Sequence, residues 1–170
     1  MNDSKTSVRT LTMMALLVAM SIVFSRVLSI STGFVRFNLG SLPVLLAGIL
    51  FGPWAGFAVG VVADMIGGVL AGYAINPLIT LGAGAIGLVA GYAWQKLPNL
   101  RTGLRLQISV LLGHFVGSMV INSLALRIFY GYAWSVLLTR IPNAIVLAAV
   151  NTVLLRILLE NRSLMKLAKK

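Results

Sequence analysis

Charge is absent from long parts of this 170-residue chain, and those uncharged stretches constrain it more than any motif does. Residues 10–25, 37–63, 65–95, 106–126 and 141–155 carry no Asp, Glu, Lys or Arg. A bilayer core about 30 Å thick is crossed by about 20 predominantly apolar helical residues. The stretches match that length singly or in pairs, and mean hydropathy is +0.98. Fourteen basic residues against three acidic ones give a net charge of +11, a balance that in a soluble chain points to nucleic acid. Apolar runs of this length demand lipid instead, so no nucleic-acid partner is expected.

Backbone chemistry divides the two longest stretches. Gly52-Pro53 interrupts the first, because proline lacks the amide hydrogen and clashes with the preceding turn. The segment Gly72-Tyr-Ala-Ile-Asn-Pro77 reads as a loop in the second. The expected fold is all-α, a single six-helix transmembrane domain over residues 1–170, with helices at 9–30, 42–52, 54–71, 77–96, 104–128 and 138–159. The second helix is too short to cross alone if straight, so it is expected as a half-depth or packed segment. Ten of the fourteen basic residues fall at the two termini or in the connection after the fourth helix. By the positive-inside rule both termini are then cytoplasmic. The first apolar run lacks an Ala-x-Ala site, so it is read as an uncleaved helix rather than a signal peptide.

Ionisable groups inside a span cost roughly 2.5–3.5 kcal/mol on insertion scales and usually face a partner or a cavity. Asp64 lies midway along the third helix, and Arg26, Arg36, Arg127 and Arg140 gather toward the outer ends. Asn38, Asn76, Asn122 and Asn143 are placed to join them, with Tyr73, Tyr130, Tyr132 and Trp134 at the rim. One negative charge among four positive ones leaves an anion missing, and guanidinium forks suit a carboxylate. The expected ligand is therefore a carboxylate-bearing solute taken from outside. Two blander readings stand beside this one. Asp64 is also suited to a buried ion pair with Arg26 or another arginine, and Arg36 and Arg140 to reaching outward to lipid headgroups. Phe34 and Phe37 flank Arg36 and are placed to close over a flat ring, while His114 reads as a satisfied histidine of the bundle.

Glycines recur at four-residue spacing at 48, 52, 56 and 60, at 87 and 91, and at 113 and 117, as expected of close helix packing in lipid. Ala15 and Ala19 on the first helix form a similar flat surface, suited to an internal contact or to another membrane subunit. No lysine follows a glycine, so no P-loop exists and ATP is not bound that way. Without cysteine, and with one histidine, no metal site is expected. Asp3 and Glu160 lie near the cytoplasmic ends, and no nucleophile and base can be assembled into an enzyme site.

The stretch Phe34-Val-Arg-Phe-Asn-Leu-Gly-Ser-Leu-Pro43 is followed by Leu50-Phe-Gly-Pro-Trp-Ala-Gly56, Val62-Ala-Asp64 and Pro77-Leu-Ile-Thr-Leu81. Together these resemble the substrate-binding S components of energy-coupling factor (ECF) vitamin transporters, and among them most the folate family. The resemblance covers roughly residues 10–97. It implies a six-helix protein of the bacterial cell membrane that binds one vitamin beneath its outer loops and needs no cofactor. It further implies partners: a transmembrane coupling subunit, docked on Ala15 and Ala19, and two cytoplasmic ATPase subunits, with delivery by tilting of the whole S component. On this resemblance, Arg26, Arg36, Asn38, Asp64, Tyr73, Asn76, Trp134, Arg140 and Asn143 are the expected substrate-binding residues, with Asp64 on the pterin of folate and arginines on carboxylates or ring acceptors. Pantothenate or another vitamin is the alternative ligand, and a stand-alone carrier the alternative function.

Overall fold

A computed structural model of the chain describes residues 8–27, 29–31 and 36–161, without the side chains of residues 30, 31, 36 and 37. Six helices follow in order: α1 (Val8–Arg26), α2 (Ser41–Phe51), α3 (Pro53–Leu70), α4 (Pro77–Lys96), α5 (Thr102–Tyr130) and α6 (Trp134–Glu160). Five of them are long and apolar enough to cross a membrane, and α2 is the exception. Between α1 and α2 lie two short antiparallel strands, β1 (Ile30–Ser31) and β2 (Arg36–Phe37), with Ile30 opposite Phe37 and Ser31 opposite Arg36.

Local sequence accounts for most of the boundaries. Asn76 caps α4 by accepting from the N–H groups of Leu78 and Ile79 at 3.0 and 3.3 Å, and Pro77 occupies the first helical position where no donor is needed. Gly52 separates α2 from α3 with φ near +102°, a conformation open mainly to glycine, and Pro53 starts α3. Gly131 ends α5 in the left-handed region.

Two boundaries differ from the sequence expectation. The first helix stops at Arg26 rather than continuing to residue 30, because Ile30 is drawn into the strand pair with Phe37. The last helix starts at Trp134, four residues earlier than expected. Pro142 has no N–H to give the carbonyl four residues back, which weakens the helix around Thr139 without ending it.

Helix α4 is the centre of the bundle, packed against α3, α2 and α5. The contact with α2 and α3 is backbone to backbone. A Cβ added at Gly48 would collide with the Gly87 carbonyl oxygen, and one at Gly87 would stand 2.5 Å from that of Gly56. On the far side, Gly113 and Gly117 of α5 lie against Ile86 and Gly82 of α4. The glycine spacing thus marks internal packing, where dispersion between close backbones replaces the hydrophobic drive that lipid cannot supply. Only Leu17 and Ser21 of α1 are buried, whereas α2 buries seven of its eleven residues.

The brevity of α2 shapes the molecule. At 1.5 Å per residue its eleven residues span about 16 Å, half a membrane. Its C-terminal end lies beside Gln95 near the end of α4. Its N-terminal end is held in the interior, where Ser21 of α1 donates to the Gly40 carbonyl at 2.6 Å. The space beyond that N-terminus is open.

Candidate functional site

That space is a cavity of about 700 Å3, walled by α1, α3, α4, α5 and α6 and floored by the start of α2. Its volume lies within the range of about 300–1,000 Å3 typical of small-molecule sites. Seven of the nine residues expected to bind substrate line it: Arg26, Asn38, Asp64, Tyr73, Asn76, Arg140 and Asn143.

Asp64 projects from the middle of α3 and accepts a hydrogen bond from the Thr80 hydroxyl on α4 at 2.7 Å. The alternative ion pair with Arg26 is not formed; among the described residues the ion pair present is the exposed Arg156–Glu160. Arg26 closes α1 with its guanidinium packed over Gly67 and 5.5 Å from the centre of the Tyr73 ring. Any side chain at 67 would approach its Nε to 3.3 Å, so the glycine makes room for the arginine. Arg140 enters from the start of the long segment of α6. One nitrogen in each arginine, Nε of Arg26 and Nη1 of Arg140, is buried without an acceptor among the described residues. A buried donor left unsatisfied costs about 1–3 kcal/mol, and more when charged.

Two asparagines have their carbonyl oxygens committed to the backbone. Asn76 caps α4, and Asn38 accepts from the Gly40 N–H at 3.1 Å in the turn leading into α2. Their amide nitrogens remain for a ligand, as does one lone pair of Asn38 Oδ1.

Two expected participants stand apart. Trp134 is 60% exposed and does not line the cavity. Arg127 lies outside as well: its guanidinium donates to the Tyr132 carbonyl at 3.0 Å and sits 5.8 Å from the Trp134 ring, fastening the α5–α6 turn. The charge imbalance at the chamber is therefore two arginines against one carboxylate among the described side chains. The Arg36 and Phe37 side chains, and Phe34 entirely, lie outside the described residues.

Sequence reasoning missed much of the polar floor. Ser21, Ser25, Ser41 and Ser118 line the chamber, as do the expected neighbours Asn122, Tyr130 and Tyr132. Residues His114–Ile121 of α5 form a π-helical stretch, a form often found at functional sites. The four-residue spacing of His114, Ser118 and Asn122 was the available signal, since it sets all three on one side of α5. His114 is buried and bonded to Asn151 at 3.0 Å, as expected of a satisfied histidine, yet it also borders the chamber.

An apolar bundle enclosing a polar chamber defines a polytopic membrane protein with an internal polar site. The family model for the S component of ECF-type riboflavin transporters matches residues 5–164, and the chain belongs to this S-component family. The folate transporter FolT of Clostridium novyi (strain NT) is 28% identical over 145 residues, covering 84% of this chain and 83% of the relative. The crystal structure of a FolT bound with folic acid superposes with a TM-score of 0.71 at 26% identity, covering 86% of this chain and 89% of that one. A structure of the S component of a bacterial ECF transporter shares the fold, with a TM-score of 0.71 at 20% identity over 94% of this chain and 97% of the other.

Proposed function

We propose that this protein captures folate from outside the bacterial cell membrane and carries it inward as the S component of an ECF importer. The observation that carries the reading is the pair of arginines whose buried N–H groups lack acceptors among the described residues, in a chamber whose one carboxylate is already engaged by Thr80. Such a chamber is completed by an anion. Folate brings two carboxylates for the guanidinium groups, and a flat pterin whose N–H donors suit Asp64. The positive N-terminal end of α2 meets the same chamber and adds to its field. Likeness to FolT supports the same vitamin.

Riboflavin is the second reading, favoured by the description of the matching family model. It is uncharged, so it would leave the arginines without a counter-charge. Titration calorimetry of purified protein in detergent with folate, riboflavin and pantothenate separates these. Heat with folate alone supports the proposal, whereas heat with riboflavin and none with folate overturns it.

In this reading both termini are cytoplasmic, and energy comes from partner subunits: a membrane coupling protein and two ATPases. Ala15 and Ala19 are exposed on the outer face of α1 while Leu17 turns inward, so they are not an internal contact. A smooth face of this kind lets a partner helix approach closely. Replacing both by tryptophan is expected to leave folate binding in detergent unchanged and to abolish uptake by cells. Undiminished uptake would remove the docking role.

A further inference from the structure

We propose that His114 reads the leading edge of the ligand's heterocycle, with Asn151 as the positioning residue that fixes which ring nitrogen does so. This deepens the folate reading and rests on it. Asn151 is wholly buried in α6, and its amide Nδ2 lies 2.9 Å from the Ser41 hydroxyl and 3.0 Å from His114 Nε2. With the amide nitrogen turned to His114 it donates, so Nε2 accepts and the ring carries its proton on Nδ1, an arrangement that leaves Asn151 Oδ1 buried without a partner among the described residues. Nδ1 has no partner among the described residues, and it is not among the buried unpaired atoms. The ring borders the chamber. Nδ1 is therefore the edge that His114 turns toward a ligand, and it presents a donor.

The position in the fold gives that donor its meaning. Ser41 begins α2 at the chamber floor, so the bonded trio ties α2, α5 and α6 together at the inner end of the site. The neighbouring Gly113 packs on Ile86 and Ala90 of α4, whereas Asp64 meets α4 at Thr80. At 1.5 Å per residue, His114 lies roughly 9–15 Å deeper than Asp64 along α4. A flat ring entering past Asp64 meets His114 with its inner edge. Pterins carry acceptors there for an N–H donor: a ring nitrogen or the 4-oxo oxygen. A site that hydrogen-bonds such an atom rejects an analogue lacking it, because the buried donor is then left unpaired.

The test measures affinities of wild type, His114→Ala, His114→Asn and Asn151→Ala for folate and for its 4-amino, 5-deaza and 8-deaza analogues, alongside thermal unfolding. Wild type is expected to bind one analogue at least about tenfold more weakly than folate. His114→Ala is expected to lose at least about tenfold for folate and to close that gap. His114→Asn, whose amide nitrogen stands near the place of Nδ1, is expected to keep folate affinity within about threefold and to keep the gap. Asn151→Ala is expected to narrow the gap by freeing the tautomer. Equal weakening of all four ligands in His114→Ala, or unchanged folate binding, would overturn the assignment while leaving the folate reading intact. Should His114→Ala not fold, a folded His114→Asn that treats all four ligands alike overturns it. Wild type that binds no pteridine overturns both.

Discussion

Arg140→Ala is expected to weaken folate binding at least tenfold while leaving the ligand-free protein as stable as wild type, or more so. Hydrogen bonds to charged groups contribute roughly 1.5–3 kcal/mol, and each 1.4 kcal/mol is a factor of ten. The sign on stability follows from the surroundings of the side chain. Arg140 holds a buried N–H without an acceptor among the described residues, so removing the side chain removes an unmet desolvation cost. A structural arginine would behave in the opposite way, with stability falling and affinity unmoved. Arg140→Lys is expected to recover little, because an ammonium lacks the planar fork that meets a carboxylate in two bonds. Arg26→Ala should lower affinity in the same direction, since its Nε is left similarly unmet. Calorimetric titration and thermal unfolding of each variant in detergent check these results together.

The second large effect belongs to packing. Gly87→Leu is expected to prevent assembly of the bundle or to lower its melting temperature severely, and Gly87→Ala to cost about 1–3 kcal/mol. A Cβ at 87 would lie 2.5 Å from the Gly56 carbonyl oxygen and 2.8 Å from its Cα. Those are backbone atoms, and they yield only if α3 moves away from α4. Gly68, also in α3, offers the contrast, because a Cβ there meets nothing within 4 Å. Gly68→Ala should be neutral or slightly stabilising, since alanine is about 1 kcal/mol better than glycine inside a helix. Similar melting temperatures for the two alanine variants would contradict this account of the core.

What was legible in the sequence is what chemistry imposes locally. Gly52-Pro53 and Asn76-Pro77 marked their helix boundaries because a missing N–H and a capping oxygen act within one turn. Arg26, Asp64 and Arg140 stood out because charge within a span needs a reason, and all three line the chamber. The glycine spacing likewise announced close packing. Helical phase was harder to read. Arg127 follows Leu126, which lines the chamber, but a one-residue step of about 100° turns it to the outside. Trp134 precedes the lining residues Val136 and Leu137 and is likewise directed away. The polar floor was hidden for a different reason. Ser41, His114 and Asn151 are distant in sequence and meet only because α2 begins at mid-depth. The π-helical stretch at His114–Ile121 leaves no compositional mark.

The sharpest trial offers the purified protein an equimolar mixture of water-soluble vitamins, removes the excess, and reads by native mass spectrometry which mass stays bound. One folate per chain is expected to stay bound, and to be released when Arg140 is replaced by alanine. Retention of riboflavin, or of nothing, would mean that the guanidinium groups around the chamber are not there to hold an anion.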